Sequence, residues 1–198
     1  MIYYIKNRRL CLKIDDKTER NTIVALQEVA WALERRFPAH NGPFDYGTRL
    51  AEEMGELIEV MYEVRDGANS AEQADHLVKE MQDVVRIVYG IAGLYDLAES
   101  LPQTLEAFSL EGDPKDVTAY IVLIGVRGGE LASAVNHAEG MGVKKEKHGN
   151  DASRHVLEAA QALAQVVIWA MAYFGVRQEF EARAAKSRAE CYEMGFIQ

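Results

Sequence analysis

A chain of 198 residues, 48% hydrophobic and 27% charged, can bury one good core and is long enough for two related helical units in tandem. Only four prolines and no low-complexity stretch argue against disorder and long linkers. The net charge of -9 excludes the basic footprint that a nucleic-acid polymer or an anionic membrane surface requires, so an anionic ligand needs a metal bridge or a local basic patch.

Cys11 and Cys191 lie at opposite ends without partners at ligand spacing, which argues against a disulfide framework or a structural zinc and for a reducing cytoplasm. The start, Met1-Ile2-Tyr3-Tyr4-Ile5, runs into Lys6, Arg8 and Arg9 without the apolar run of a signal peptide. Residues 2–14 alternate around Lys6-Asn7-Arg8 and predict a small N-terminal β-hairpin. The rest reads as all-α. Apolar residues recur at three- and four-residue spacing over 18–36, 47–66, 72–97, 114–138, 152–175 and 177–194, with breaks where Gly and Pro cluster. The most apolar stretch, Ala162 to Val176, is interrupted by Gln165 and is shorter than the about 20 residues a bilayer span needs. It predicts a buried helix and no membrane partner.

Helix phase singles out four acids. At about 100° per residue, Leu50, Met54, Leu57, Met61 and Val64 share one face; Glu53 falls between Val60 and Val64, and Glu56 at the edge of that arc. Glu52, Glu59 and Glu63 fall on the polar side. On the next helix Glu80 projects between Ile87 and Ile91, and Asp83 between Gly90 and Leu94, while Lys79, Gln82 and Arg86 occupy the polar side. Buried carboxylates without compensation are costly and repel one another. Two answers stay open: a bound cation, or neutralisation by Arg or Lys from another helix. Residues at i and i+3 share a face, so Glu53 with Glu56 and Glu80 with Asp83 form two claws. An antiparallel pair brings them together, and carboxylates without His or Cys favour Mg²⁺ or Mn²⁺.

The run Leu50-Ala51-Glu52-Glu53-Met54-Gly55-Glu56-Leu57, followed by Lys79-Glu80-Met81-Gln82-Asp83-Val84-Val85, resembles the MazG-like, all-α nucleoside triphosphate pyrophosphohydrolases, whose signature is EExxE, a spacer, then ExxD. The resemblance covers roughly residues 20–108. It implies hydrolysis of a (d)NTP or non-standard nucleotide between the α and β phosphates. It further implies Glu53, Glu56, Glu80 and Asp83 as metal ligands and Glu52 orienting or deprotonating water with Glu53. Gln27 and Trp31, on a helix similar to the family's first, would contact the base; for Trp31 a core-packing role is equally open. Phosphoribosyl-ATP pyrophosphohydrolases carry a similar carboxylate pattern on a shorter chain, and a non-catalytic helical interaction protein is the alternative outside enzymes.

Beyond residue 115 the pattern returns in weakened form. Gly129-Glu130-Leu131 matches Gly55-Glu56-Leu57, and Glu158-Ala159-Ala160-Gln161 can be laid over Glu80-Met81-Gln82-Asp83. Arg127 then stands where Glu53 stands and Gln161 where Asp83 stands, so the ligand set is broken. Arg127 would pair with Glu130 or Glu158, or reach a substrate phosphate. Lys144 and Lys145 belong to the densest basic stretch, either a phosphate-attracting loop or a solvated turn. The expected organisation is a hairpin extension over 1–17, a catalytic half over 18–112 and a degenerate half over 113–198 making a pseudo-dimer; a homo-oligomer is compatible with it.

Overall fold

The computed structural model describes residues 25, 26, 28–30, 32, 36, 39, 42–67, 70–97, 100, 101, 116–141 and 152–197. The expected N-terminal hairpin lies outside them, as do Gln27, Trp31, Lys144 and Lys145. Among the described residues there is no strand, and six helices form a bundle: α1, the helical residues between 25 and 36, α2 (Pro43–Glu63), α3 (Ala71–Leu94), α4 (Val117–Ala138), α5 (Ala152–Phe174) and α6 (Arg177–Glu193).

Helix starts follow local chemistry. α2 begins four residues before the expected position because Pro43 occupies its first turn, where a missing N–H is harmless. The Gly42 N–H donates to Asp45 Oδ2 at 3.1 Å, so Gly47 lies inside the helix rather than in the break. Ser70 caps α3 by accepting from Gln73 N at 3.1 Å, and Asp116 caps α4 by accepting from Ala119 N at 2.9 Å.

Two hairpins form the centre. α2 packs along α3, α4 along α5, and the hairpins meet through α2 on α4 and α3 on α5. α6 crosses onto α3, and α1 lies against the end of α6, where Val29, Ala32, Cys191 and Ile197 form a small cluster and Arg188 pairs with Glu28. Leu57, Met61, Leu77, Met81, Val84, Val88, Ile124, Leu131, Val156, Leu163, Val166 and Val167 are among the closed-off core residues.

The hairpins bury equivalent positions. On α2 these are Tyr46, Leu50, Leu57, Val60 and Met61; on α4, at the same spacing, Tyr120, Ile124, Leu131, Ala134 and Val135. A Cβ on Gly128 would lie 2.0 Å from Met54 Sδ, and Met54 is the residue that Gly128 matches in this register. Counterparts meeting face to face is what an approximate two-fold axis through a helix crossing produces. On α3 and α5 the burial pattern fits best one residue away from the expected overlay: Leu77, Met81, Gln82, Val84, Ile87 and Ile91 match Val156, Ala160, Gln161, Leu163, Val166 and Ala170, all buried. His76 then matches His155. The same register pairs two tertiary contacts: the Tyr46 ring lies where a Gly90 Cβ would be, and the Tyr120 hydroxyl donates to the Trp169 carbonyl at 3.4 Å.

α4 and α5 are each long and apolar enough to cross a membrane, by length and composition. The full helix of 23 residues over Ala152–Phe174 exceeds the apolar stretch picked out from sequence. In the bundle, 61% of the apolar window of α5 is buried against 33% of that of α4, so α5 is the more enclosed of the two.

Candidate metal centre

The α2–α3 hairpin brings the claws together. One carboxylate oxygen from each of Glu53, Glu80 and Asp83 lies within 4.8 Å of the others. Two oxygens on one Mg²⁺ at about 2.1 Å are at most about 4.2 Å apart, and on one Ca²⁺ at about 2.4 Å about 4.8 Å, so the group has the spread of ligands to one cation and would draw in slightly around Mg²⁺. Glu80 is fully buried, Asp83 buried and Glu53 half-buried, in the order the helix phase implies. Glu56 is exposed, consistent with the edge of the arc, and stands within hydrogen-bonding reach of Glu80. Glu52 is exposed.

Cations meet these acids from α3 itself. Lys79 Nζ is 2.7 Å from Glu80 Oε1, 3.2 Å from Asp83 Oδ2 and 3.9 Å from Glu56 Oε2. His76 Nε2 lies 3.2 Å from Glu80 Oε1, and Arg86 pairs with Asp83. Of the three residues expected on a polar face, Lys79 is 43% exposed, whereas Gln82 and Arg86 are covered. α6 covers that face, so Gln82 is buried and its Nε2 donates to the Phe180 carbonyl at 2.6 Å, and only a quarter of the Arg86 side chain is exposed. Neutralisation from another helix is replaced by neutralisation within α3. The i,i+3 and i,i+4 spacings of Asp83–Arg86, Lys79–Asp83 and His76–Glu80 were the available signal.

Compensation is incomplete. Lys79 and Arg86 balance two of the four carboxylates, and Glu80 Oε2 is buried with no hydrogen-bond partner. Burial, then the Glu56 charge, holds the Glu53 carboxyl above its ordinary value; the close approach of the Glu80 carboxyl, which favours the protonated form, then burial, does the same for Glu56. Each shift is what an excess of negative charge in a poorly solvated site produces. The Lys79 side chain is 43% exposed and can swing into solvent, so its ammonium occupies the region of a cation without being locked there. The donor set, all carboxylate with an orphaned buried oxygen, therefore fits a hard divalent ion.

The second hairpin holds no comparable group among the described residues. Arg127 Nη1 pairs with Glu130 Oε2 at 2.7 Å, one of the two expected partners, while Glu158 is exposed and pairs with Arg154 at 3.1 Å and His155 at 3.8 Å. Compared with protein-family models, with curated proteins and with solved structures, the chain matches none. The cluster stands on its own geometry.

Proposed function

We propose that the chain is a Mg²⁺-dependent nucleoside triphosphate pyrophosphohydrolase of MazG-like type, internally duplicated, in which the α2–α3 hairpin carries the reaction and the α4–α5 hairpin is its degenerate partner. The observation that carries this reading is the approach of Glu53, Glu80 and Asp83 to within 4.8 Å around the unpartnered Glu80 Oε2, on the motif spacing that resembles that family. Glu53, Glu56, Glu80 and Asp83 would hold the ion. When bound, Mg²⁺ supplies charge neutralisation at the phosphates and acidifies a water. Glu52, exposed one residue before Glu53, orients that water or takes its proton, with Glu53 half-buried behind it. Lys79, displaced from the carboxylates, stays within reach of phosphate oxygens.

A panel of canonical and modified (d)NTPs, with phosphoribosyl-ATP included, tests this by pyrophosphate release with Mg²⁺. Turnover that disappears in EDTA and returns with Mg²⁺ or Mn²⁺ is expected; full turnover in EDTA, or none with any nucleotide, sinks it. One observation favours a second, non-catalytic reading: Lys79 and Arg86 already pair with Glu80 and Asp83, as in a structural ion-pair network. That reading predicts no rise in Tm with divalent metal, which separates the two.

A further inference from the structure

Beside the acid cluster a cleft is lined by Ala30, Tyr46, Arg49, Asp83, Arg86 and Ile87. We infer that this cleft is an anion site in which Arg49 and Arg86 bind a phosphate group directly, next to the cation held by Glu53, Glu80 and Asp83. It rests on the proposed function only for the identity of the anion as the polyphosphate of a nucleotide.

Three observations carry the inference. The first is charge without acceptors. Arg49 is half-buried and has no hydrogen bond or ion pair among the described residues. Arg86 gives one guanidinium nitrogen to Asp83, while its Nε is buried with no acceptor. Burial, and then the neighbouring Arg49 and Arg183, depress the Arg86 pKa against the pull of Glu53. Arg183 has its own carboxylate, Asp75 at 2.7 Å; Arg49 has none. Arg86 is shared with Asp83, so the charge left over on the cleft wall is that of Arg49, which, with the free Arg86 Nε, offers planar donors to a many-oxygened anion.

The second is the counterpart cleft. In the shared register Tyr46 matches Tyr120 and Ile87 matches Val166, whereas Arg49 matches Leu123, Asp83 matches Ala162 and Arg86 matches Gln165. The apolar lining persists, but every charged lining residue is replaced in the hairpin that also lacks the acid cluster. Arg49 and Arg86 thus come and go with the acids, as parts of one site.

The third is position. Asp83 belongs to both the cleft and the acid cluster, so the bound cation and the bound anion share a border, and each should strengthen the other.

The test is calorimetric titration of inorganic pyrophosphate into the full chain, in EDTA and again with Mg²⁺. Arg49→Gln should weaken binding roughly ten-fold or more in both conditions, as loss of charge-assisted hydrogen bonds does, with Arg49→Lys intermediate. Arg65→Gln, an exposed change on the far loop, should match the wild type. Arg49 makes no hydrogen bond or ion pair among the described residues, so Arg49→Gln should leave Tm within about a degree or two of the wild type, and weakened binding is then not unfolding. Wild-type binding by Arg49→Gln, or equal weakening by Arg65→Gln, overturns the anion site. If pyrophosphate binds through Arg49 yet no nucleotide is hydrolysed, the hydrolase reading fails and this site stands; if nucleotides turn over but Arg49→Gln is indistinguishable, only this site fails.

Discussion

The two hairpins bury the same positions with different chemistry. Where α3 buries Glu80 and Asp83, the matching residues of α5 are Ala159 and Ala162; where α2 turns Glu53 inward, α4 has Arg127, paired with Glu130. Buried hydrophobic positions such as Leu50 and Ile124, or Met61 and Val135, differ in side-chain shape and size, which cores tolerate. The second hairpin therefore shows that this packing needs no buried carboxylate. Acids kept in the first at an electrostatic penalty, with one oxygen unpartnered, point to something other than folding.

The largest expected contrast follows from that. Glu80→Gln and Asp83→Asn should lower Mg²⁺-dependent turnover by about 10²–10³-fold or more, the scale of losing several kcal/mol of metal-mediated stabilisation. Both should also abolish the rise in Tm on adding Mg²⁺, while Tm in EDTA moves by only a few degrees. Glu130→Gln and Glu158→Gln should leave the metal response intact. Equal losses from both hairpins, in parallel kinetics and melting curves, would falsify the one-site reading.

The glycines sharpen the comparison at the level of packing. A Cβ on Gly90 would lie 2.3 Å from Tyr46 Cε1 and 2.7 Å from Cζ, and that ring is buried, so Gly90→Ala should destabilise by about 2–3 kcal/mol despite better helix propensity. Gly125 and Gly129 on α4 face open space, and there Ala should stabilise by about 0.5–1 kcal/mol. Denaturant unfolding reads both. Opposite signs are expected, and a neutral Gly90→Ala would mean that the Tyr46 contact yields easily.

A smaller contrast concerns Lys79, whose match in α5 is Glu158. Replacing it with Met removes the ammonium that competes with metal, so Mg²⁺ affinity should rise several-fold. Tm in EDTA should fall slightly, since a partly exposed ion pair contributes roughly 0.5–1 kcal/mol. Unchanged affinity would place the ion away from Lys79.

Periodicity alone exposed much of this. The six helices lie close to the predicted segments because their apolar faces are continuous, and Glu53, Glu80 and Asp83 were legible as inward charges because helix phase is rigid over two turns. What was not legible depends on neighbours. Nothing local tells that α6 covers the face carrying Gln82 and Arg86, so both looked solvated. Arg49 drew no attention because its surroundings come from α1 and α3. The overlay of α5 on α3 slipped by one residue because Glu158 resembles Glu80 in letters, although one is exposed and the other buried.

The smallest effect expected is a pH dependence that only the first hairpin shows. The Glu53 and Glu56 carboxyls are held above the ordinary glutamate value of 4.5, so at neutral pH the fold keeps them ionised against their surroundings. As pH falls through their raised values, the folded chain takes up protons before the unfolded chain does, and stability rises. Below 4.5 both states are protonated, and these two groups add nothing more. In EDTA, Tm should therefore gain a degree or two from this pair between neutral and mildly acid pH. With Mg²⁺ the sign reverses, because protons compete with metal for the same oxygens and the metal-induced rise in Tm shrinks as pH falls. Other ionisable groups add their own slopes, so the measurement is a difference. Glu53→Gln with Glu56→Gln should flatten both trends relative to wild type, and Glu130→Gln should leave them in place. A double variant that keeps the wild-type slopes would show that the excess negative charge lies elsewhere than in the α2 claw.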